Sequence, residues 1–594
     1  MIDILLFLAI VLISYGIGKR LLNLAVKDAD DLVQDFIFST GLGFGIIGYA
    51  VYALGSIGLL YLGYVVTALL VCALFSFYPV VQFIRRINWS RAGQWIAGLS
   101  GFEKFLLAVP VTIAAVCIFG ANAPEIGNDA LAYHLYHPKI FIQNHKIGYV
   151  PFTRESLWPY LTEMLFTIGL LLKSVSVAKM FHFFFGVLSA LSVYSFIRRF
   201  FGRREALLAC ALFSSAPGIF MQSVYSYVDL SLCFYSFAAL YSMILWTEKS
   251  DTKYVILAGI FTGLALSVKL MGGLTFITLA CTILYHLIVN RADLKRAFKI
   301  FAIFVGAAAV VSSIWYIRSY VATGNPIYPF LYNIFKKGWP DSVSYVTVPS
   351  RGIIEFIRLP WDLVMNMDNF GGEQIGILSL VLLPVLLFLP FKKRVIKYML
   401  IFSAIYTIAW YTVTPNIRFA FVNFAVVYSL IGIGFCAASK RYSLGVLKII
   451  LSLCILFNVC LCFYYNKDSV KLGLGLIGTK DYLYKKEGSY PVAEFVNKNL
   501  PAESIVISLV GTRWFYFDRE IIDYSIWNIT SKESFSNYLS KLKKRGPVFL
   551  LLNENTELND YEEIRTIINN RAPIFNFSIK VGDGKVVDHY VYKI

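Results

Sequence analysis

Charged residues are scarce in this sequence: they make up 15% of its 594 residues, whereas 58% are hydrophobic. A soluble domain is about a quarter charged and nearer half apolar. A soluble chain of this length would also divide into several domains with polar surfaces. The composition therefore excludes a soluble enzyme, a disordered chain and a disulfide-rich secreted scaffold, and it predicts a protein that is solvated by membrane lipids.

Cysteine patterns that would mark a metal or disulfide framework are missing as well. All nine cysteines lie in apolar segments, the last of them is Cys462, and no CxxC or Cys/His zinc spacing occurs. Such cysteines are typical of small core residues. The sequence therefore predicts neither disulfides nor a cysteine-bound metal.

Basic residues exceed acidic ones by 54 to 36, but they do not form a nucleic-acid patch. They occur in short clusters between apolar runs, such as Arg198-Arg199 and Arg203-Arg204. This is the pattern of cytoplasmic loops in the positive-inside rule. We therefore expect no nucleic-acid partner.

The apolar runs predict a polytopic α-helical membrane protein with about 14 transmembrane helices. The predicted spans are 3–18, 36–57, 59–84, 103–120, 176–197, 205–221, 229–246, 254–270, 272–290, 298–316, 374–390, 396–413, 417–438 and 443–464. Because the basic clusters before 103 and after 197 should face the same side, only one crossing fits between the loop after 120 and residue 198. The apolar stretch 158–172 is therefore predicted to be a juxtamembrane or re-entrant helix.

These runs divide the chain into three parts. Residues 1–86 form N-terminal transmembrane helices, and 103–465 form a transmembrane core with external loops at 121–175 and 319–373. The tail 466–594 contains two buried-strand patterns, 504–510 and 548–552, and two helical patterns, 492–500 and 561–570. Strand and helix patterns mixed in this way predict a small external α/β domain.

Polar residues concentrate in the first external loop, where a membrane boundary makes them costly unless they are used. Asp129 is the candidate catalytic residue, and Glu125 lies four positions before it. His134 and His137 could share one helix face, but a bare HxxH pair is a weak metal signal. The candidate substrate-binding residues in this region are Glu125, His134, Lys139 and Glu163.

The other candidates lie at the external ends of distant spans. They are Asp229, Lys269, Arg318, Asn325 and Arg418. A carboxylate can act as general base on an acceptor hydroxyl, and cationic side chains can hold a phosphate leaving group. A polyprenyl-phosphate sugar would present its phosphate at this depth. This constellation predicts sugar transfer at the outer face without ATP or a nucleotide sugar.

Several motifs resemble those of a known family. Four segments resemble the first external loop of bacterial GT-C glycosyltransferases. They are Asn128-Asp129-Ala130-Leu131-Ala132-Tyr133-His134-Leu135, Pro138-Lys139, Trp158-Pro159 and Glu163-Met164-Leu165. These are family 39-like proteins, related to protein O-mannosyltransferases and aminoarabinose transferases. Three further segments are similar to motifs of this family. They lie around Lys269, at Gly324-Asn325-Pro326 and at Asn416-Ile417-Arg418-Phe419.

The resemblance implies a GT-C fold, a polyprenyl-phosphate-linked donor, inversion at the anomeric carbon and an active site outside the cytoplasm. It makes Asp129 the base or acceptor-orienting residue, and the partner an external glycan, lipid or protein acceptor. It implies a multi-pass protein of the bacterial cytoplasmic (inner) membrane. Relatives with and without a metal requirement exist, so a divalent metal stays an open alternative and no residue is assigned to one.

Two alternatives to single-sugar transfer remain at this point. A polysaccharide polymerase or oligosaccharide ligase would use a donor carrying a whole glycan, which the sequence does not distinguish from a single sugar. A lipid-linked glycan flippase or transporter predicts mid-membrane charges and internal repeats. The ionisable residues cluster towards one face instead of the middle of the membrane, and the sequence shows no internal repeat.

Overall fold

Most of the chain folds into long helices. The computed structural model describes residues 2–25, 31–150, 153–336, 352–511, 513–524, 534–557, 561–569, 571–581 and 585–594. The first helices are α1 (Ile2–Ala25), α2 (Leu32–Ser56), α3 (Leu62–Arg86), α4 (Trp89–Ala97), α5 (Gly101–Asn122), α6 (Tyr136–Gln143), α7 (Leu161–Leu171), α8 (Val175–Phe200), α9 (Arg203–Ser215), α10 (Pro217–Gln222), α11 (Asp229–Lys249) and α12 (Lys253–Val268).

The remaining helices complete the bundle and enter the tail. They are α13 (Gly272–Val289), α14 (Leu294–Thr323), α15 (Tyr332–Phe335), α16 (Ile353–Met365), α17 (Leu378–Val381), α18 (Arg394–Val413), α19 (Phe421–Ser439), α20 (Gly445–Gly473), α21 (Thr479–Lys486), α22 (Tyr490–Asn499), α23 (Phe535–Lys543) and α24 (Glu562–Asn569). Short 3₁₀ turns occupy Arg154–Leu157, Met367–Phe370, Leu383–Phe388 and Ile417–Ala420.

Among the described residues, eleven helices are long and apolar enough to cross a bilayer, so the protein is a polytopic integral membrane protein. Three of the predicted spans are interrupted or are shorter than predicted. The span expected at 205–221 breaks at Pro217, which cannot continue a helix, and the span at 374–390 is a short helix followed by a 3₁₀ turn. The span at 254–270 is the 16-residue α12. The exact number of crossings therefore stays a prediction.

Close helix contacts bring α1, α2 and the core together. A Cβ on Gly43 would lie 1.8 Å from the carbonyl oxygen of Ser14, so only glycine allows α1 and α2 to approach this closely. On another face of α2, Gly45 packs against Leu264 of α12. The eleven-residue α7 is too short to cross a bilayer, and it packs against α2 and α8.

The two ends of the bundle differ in the charges they carry. The basic clusters predicted to be cytoplasmic lie at one end, where Arg203 contacts Glu103 at the start of α5 (3.1 Å). At the other end, the hydroxyl of Ser176 at the start of α8 donates to the carbonyl of Asn122 at the end of α5 (3.1 Å). We call this second end the site end. Which side of the membrane it faces stays a prediction.

The tail forms the predicted α/β domain around a five-stranded sheet. Its strands are β1 (Ile505–Ser508), β2 (Glu520–Asp523), β3 (Val548–Asn553), β4 (Phe575–Val581) and β5 (Lys585–Lys593), in the order β2-β1-β3-β5-β4. β1 pairs in parallel with β2 and β3, whereas β5 is antiparallel to β3 and β4. The core helix α20 continues to Gly473, past the boundary expected at residue 466. That division of the chain stays a prediction.

Candidate functional site

The loop that carries Asp129 is fixed by a buried carboxylate. Glu125 is fully buried, and its oxygens accept hydrogen bonds from the backbone N–H groups of Ile126 (2.9 Å), Gly127 (2.7 Å) and Ser226 (2.7 Å). Ser226 lies just before α11, so this carboxylate ties the loop to the start of that helix. These contacts give Glu125 a structural role. Its predicted part in substrate binding has no contact to support it.

A wide helical turn follows Asp129. Residues Ala130–His134 form a π-helical turn, in which the N–H of Leu135 donates to the carbonyl of Ala130 (2.9 Å). Such turns contain one more residue than a regular turn and are frequent at functional sites. The turn is buried against the bundle and leads into α6.

Asp129 contacts an arginine that lies 289 positions later in the sequence. Its Oδ2 accepts a hydrogen bond from Nη1 of Arg418 at 2.7 Å, and the hydroxyl of Tyr133 donates to the same carboxylate. Burial alone would raise the pKa of Asp129, but the charges of Arg418 and Lys269 outweigh it and hold that pKa below its ordinary value. The carboxylate is therefore ionised at neutral pH.

Arg418 is positioned by a tight turn between α18 and α19. Its backbone N–H donates to the side-chain oxygen of Asn416 (3.1 Å), which caps the turn Ile417–Ala420. Its guanidinium carbon lies 5.3 Å from the centre of the Tyr227 ring. The guanidinium is thereby held between the Asp129 loop and the start of α11.

Lys269 and Asp229 form a second buried ion pair beside Arg418. Asp229 begins α11 and Lys269 follows the last residue of α12, and Nζ lies 3.1 Å from Oδ1. The Lys269 ammonium also lies 4.4 Å from the centre of the Phe419 ring. The other oxygen of Asp229 is 3.9 Å from Arg418 Nη1. One continuous cluster therefore joins Asp129, Arg418, Asp229 and Lys269.

A fifth charged residue of this cluster was missed by the sequence reasoning. Oε1 of Glu373 lies 3.2 Å from Nε of Arg418 and accepts a hydrogen bond from Gln222 (3.1 Å). Burial, with the nearby charges of Asp229 and Asp129, raises the pKa of Glu373 to about 7 despite the opposing effect of Arg418. The preceding Gly371 and Gly372, both at positive φ, are the one signal of a specialised turn here.

His134 and Glu163 form a buried pair next to the cluster. Nδ1 of His134 lies 2.6 Å from Oε1 of Glu163, and both side chains are 2% exposed. Burial, reinforced by the positive charge of Lys269, lowers the pKa of His134 well below its ordinary value, so the ring is neutral. His134 belongs to the turn that follows Asp129, and Glu163 belongs to α7. The pair therefore fastens the Asp129 loop to that helix.

Several buried polar atoms at this site have no hydrogen-bond partner among the described residues. They are Nε2 of His134, Oε2 of Glu163, Oδ2 of Asp229 and Oε2 of Glu373. A buried polar group without a partner is expensive and calls for an explanation, such as a bound ligand or water. These atoms mark the part of the cluster where hydrogen-bonding groups are left for a ligand or water.

Two of the predicted residues lie away from this cluster. Arg318 donates to the backbone carbonyls of Gly148 (3.2 Å) and Ser156 (2.9 Å), and so braces the far part of the same loop. Asn325 donates to the carbonyl of Phe330 (2.8 Å) and accepts from the N–H of Ile327 (2.9 Å), as in a tight turn. Neither is joined to Asp129, and their roles in donor binding stay predictions.

Lys139 connects the loop to the tail domain. Its ammonium donates to the carbonyls of Phe515 (2.9 Å) and Phe517 (2.7 Å), and lies 3.3 Å from Asp518. Burial lowers the pKa of this ammonium, and Asp518 counteracts that effect. The structure therefore joins Lys139 to the tail rather than to the ion cluster.

The two histidines of the HxxH pair do not converge. His137 contacts the hydroxyl of Tyr160, whereas His134 contacts Glu163. Within the part of the chain that the structure describes, no three His, Cys, Asp or Glu side chains are arranged to hold a metal ion. A divalent metal stays an open alternative.

Comparisons with known proteins give the fold. Residues 156–317 match the family of dolichyl-phosphate-mannose-protein mannosyltransferases. ArnT from Cupriavidus metallidurans in the apo state superposes with a TM-score of 0.55 at 13% identity, covering 81% of this chain and 97% of ArnT. The chain has the GT-C glycosyltransferase fold. No curated protein sequence matches it significantly.

Two further solved structures match this chain. ArnT from Cupriavidus metallidurans bound to undecaprenyl phosphate matches with a TM-score of 0.53 at 14% identity, covering 81% of this chain and 97% of that one. The oligosaccharyltransferase AglB from Archaeoglobus fulgidus, in complex with an inhibitory peptide and a dolichol-phosphate, matches with a TM-score of 0.46 at 14% identity, covering 82% of this chain and 74% of AglB. The matched family segment contains Glu163, Asp229 and Lys269.

Proposed function

We propose that this protein is a membrane glycosyltransferase that transfers a sugar from a polyprenyl-phosphate-linked donor to an acceptor on the extracytoplasmic face. The observation that carries the proposal is the buried cluster in which Asp129 contacts Arg418, and Lys269 lies beside them. It combines an ionised carboxylate with two cations at one end of a GT-C helix bundle.

The cations form the donor side of the site. Lys269 and Arg418 offer N–H donors at the depth where a lipid phosphate would lie, with its chain among the helices. Charge-assisted hydrogen bonds of this kind are the strong ones for phosphate. ArnT, whose fold this chain shares, has been solved with undecaprenyl phosphate bound, which supports a lipid phosphate as the ligand. Asp229 and Glu373 lie beside these cations and offset part of the cost of burying them.

Asp129 forms the acceptor side. Its contact with Arg418 holds its pKa low, so the carboxylate is ionised and weakly basic. A donor phosphate competes for the Arg418 guanidinium and adds negative charge nearby, and both effects raise the pKa of Asp129. The carboxylate therefore becomes a stronger base once the donor is bound, which couples acceptor activation to donor binding.

The transfer balances as a single displacement. The acceptor oxygen forms the new bond to the anomeric carbon while its proton passes to the Asp129 carboxylate. The bond between the anomeric carbon and the phosphate oxygen breaks, and its electron pair leaves with the polyprenyl phosphate. Lys269 and Arg418 stabilise the charge that develops on that phosphate. Attack from the face opposite the leaving group inverts the anomeric configuration.

The test is mass spectrometry of cell-envelope glycans from a strain that lacks the gene, complemented with wild type or with Asp129→Asn. A sugar modification should return with the wild type and stay absent with Asp129→Asn. Equal restoration by the two proteins would remove Asp129 from the mechanism.

The proposed orientation has its own test. A reporter fused after residue 201 should be cytoplasmic, because it follows the basic cluster there. A reporter fused at the C-terminus should be extracytoplasmic, on the side of the site end. The opposite placement of either reporter would contradict the proposed topology.

A further inference from the structure

A groove lies between the tail domain and the helix that follows the Asp129 loop. It has a volume of about 480 Å³ and is lined on one side by Ile142 and Gln143 of α6. The opposite side is formed by α22 and by the segment 515–518, and Leu170 at the end of α7 closes one edge. This volume is within the range of about 300–1,000 Å³ that is usual for small-ligand sites.

Aromatic rings form a continuous strip along the tail side of this groove. Tyr484 and Tyr490 have ring centres 5.8 Å apart, Tyr490 and Tyr516 are 5.3 Å apart, and Tyr516 and Phe515 are also 5.3 Å apart. The last three of these rings line the groove. Aromatic faces are electron-rich, and they attract the C–H face of a sugar ring. Tyr490 and Tyr516 meet edge to face (89°), as do Phe515 and Tyr516 (70°), so the rings form successive aromatic patches and not one flat platform. Successive patches suit a ligand of more than one sugar ring.

The polar side chains of the groove suit hydroxyl groups better than anions. Glu494 and Asp518 contribute carboxylates, and Gln143 contributes an exposed amide. Each carboxylate already has a cation: Glu494 lies 2.7 Å from Lys480, and Asp518 lies 3.3 Å from Lys139, which also donates to two backbone carbonyls. Among the described residues that line the groove, no cation is therefore left unpaired for a phosphate or an acidic ligand. Carboxylates and amides accept and donate to neutral hydroxyls.

The groove is attached directly to the loop that carries Asp129. The backbone N–H groups of Trp514 and Phe515 both donate to the carbonyl of Leu131 (3.1 Å each), two residues after Asp129. The hydroxyl of Tyr516 donates to the carbonyl of Glu125 (2.7 Å). The same short segment therefore lines the groove and holds both sides of the Asp129 loop.

Arg513 strengthens this attachment from the other side of the loop. Its Nε donates to the side-chain oxygen of Asn128, the neighbour of Asp129 (2.8 Å), and its Nη1 lies 3.1 Å from the fully buried Glu487. A ligand that contacts Phe515 and Tyr516 is therefore bound by a segment whose other contacts fix the position of Asp129.

We propose that this groove binds the acceptor, and that the acceptor is a neutral glycan chain held beside the loop that carries Asp129. This inference rests on the proposed glycosyltransferase function, for which it names the class of acceptor. A peptide acceptor fits less well, because the groove is lined by helices and a loop and offers no free strand edge to which an extended peptide could add.

The experiment uses the full chain in lipid nanodiscs and an array of immobilised bacterial oligosaccharides. We expect the wild type to bind a subset of neutral oligosaccharides. Tyr490→Ala should weaken that binding about tenfold, as expected for the loss of one stacked ring, whereas Tyr490→Phe should retain it because the ring is kept. Tyr442→Ala is the matched control, since Tyr442 is an exposed tyrosine of the α19–α20 connection.

Three results would overturn the groove as a glycan site: a wild type that binds no oligosaccharide on the array, a Tyr490→Ala variant that binds as well as the wild type, or binding of peptides in their place. Because Tyr490 also packs against Tyr484 and Tyr516, thermal unfolding of each variant is measured alongside binding, and the expected result is weaker oligosaccharide binding by Tyr490→Ala at an unchanged unfolding temperature. Undecaprenyl phosphate binding by the same nanodiscs, compared with Lys269→Ala, tests the donor side separately. If Lys269→Ala binds this lipid as well as the wild type, the result counts against the proposed function and not against the groove.

Discussion

Asp35 and Asp229 are both fully buried carboxylates that lie near a lysine and an arginine, at opposite ends of the helix bundle. Asp35 has both oxygens occupied, one by Lys19 and the other by Arg86 (3.1 Å) and the hydroxyl of Tyr15 (3.2 Å). Asp229 has one oxygen on Lys269, while the other is 3.9 Å from Arg418 and has no hydrogen-bond partner.

The difference separates a cluster that holds helices together from one that is prepared for a ligand. A saturated buried ion pair has nothing left to bind, and removing one partner leaves an uncompensated charge. An unsaturated cluster carries a cost that a ligand can relieve. Substitutions at the site end should therefore change transfer or lipid binding, whereas matched substitutions around Asp35 should change stability.

The largest effect is expected for Asp129 at the site end. Asp129→Asn should lower the transfer rate by about 10²–10⁴-fold, the usual contribution of a general base. Its loss of stability should be smaller than that of Asp35→Asn, because Arg418 keeps Glu373 and Asp229 nearby. Asp35→Asn should instead lower the free energy of unfolding by about 3–5 kcal/mol, because Lys19 and Arg86 lose their partner. Transfer rate per folded molecule and thermal unfolding would be measured in parallel. A catalytic defect in folded Asp35→Asn would break the comparison.

The next effect concerns the cations. Lys269→Ala should weaken undecaprenyl phosphate binding about ten- to a hundredfold, the value of a charge-assisted hydrogen bond, whereas Lys19→Ala should leave it unchanged. Lys269→Ala also leaves Asp229 unpaired. The double variant Lys269→Ala/Asp229→Asn should therefore recover stability without recovering lipid binding. Recovery of both would mean that Lys269 serves only the fold.

A smaller, pH-dependent effect is expected from Glu373. With its pKa raised to about 7, this carboxyl is neutral below that pH and charged above it. A charged Glu373 competes with a lipid phosphate for Arg418, so it should weaken phosphate binding a few-fold as the pH rises through 7. Undecaprenyl phosphate affinity would be measured from pH 6 to 8 for wild type and for Glu373→Gln. The lipid phosphate titrates equally in both measurements, so the ratio of the two affinities reports only on Glu373. A constant ratio would contradict it.

The smallest effect on catalysis is expected from Glu125, which lies at the site end but is saturated like Asp35. Glu125→Gln replaces a carboxylate that accepts three backbone hydrogen bonds, and should cost about 1–3 kcal/mol of stability. The transfer rate of the folded fraction should change much less than in Asp129→Asn. Chemical unfolding and single-turnover rates measure the two quantities. A rate loss as large as that of Asp129→Asn would place Glu125 in the mechanism.

The sequence predicted which residues lie at the level of the site, but not which of them meet. Hydropathy and basic clusters fix the depth of each span end, and they correctly brought Asp229, Lys269 and Arg418 to the end that carries Asp129. They carry no information on the position of a helix around the bundle. Arg318 therefore has the right depth, yet it lies against the carbonyls of Gly148 and Ser156.

Glu373 and the segment 513–518 show what remained hidden. Glu373 reaches Arg418 because the turn after Gly371 folds back on the bundle, and that turn has no periodic pattern that would predict its direction. The segment 513–518 holds the Asp129 loop largely through backbone hydrogen bonds, which any residues can make. Its contacts with Leu131 and Lys139 are therefore absent from any sequence motif. The tail strands β1 and β3, by contrast, are continuous apolar runs and were predicted closely.

The π-helical turn at Ala130–His134 has a consequence for how this chain tolerates changes in length. One residue in a regular helix corresponds to a rotation of about 100° around the axis. Deleting a single residue here would give an ordinary helical turn that remains well hydrogen-bonded, and would swing the preceding backbone by that angle. Asp129 would then leave Arg418 although every residue of the ion cluster was still encoded. Single-residue deletions in this turn are therefore expected to abolish activity even when the helix bundle still folds.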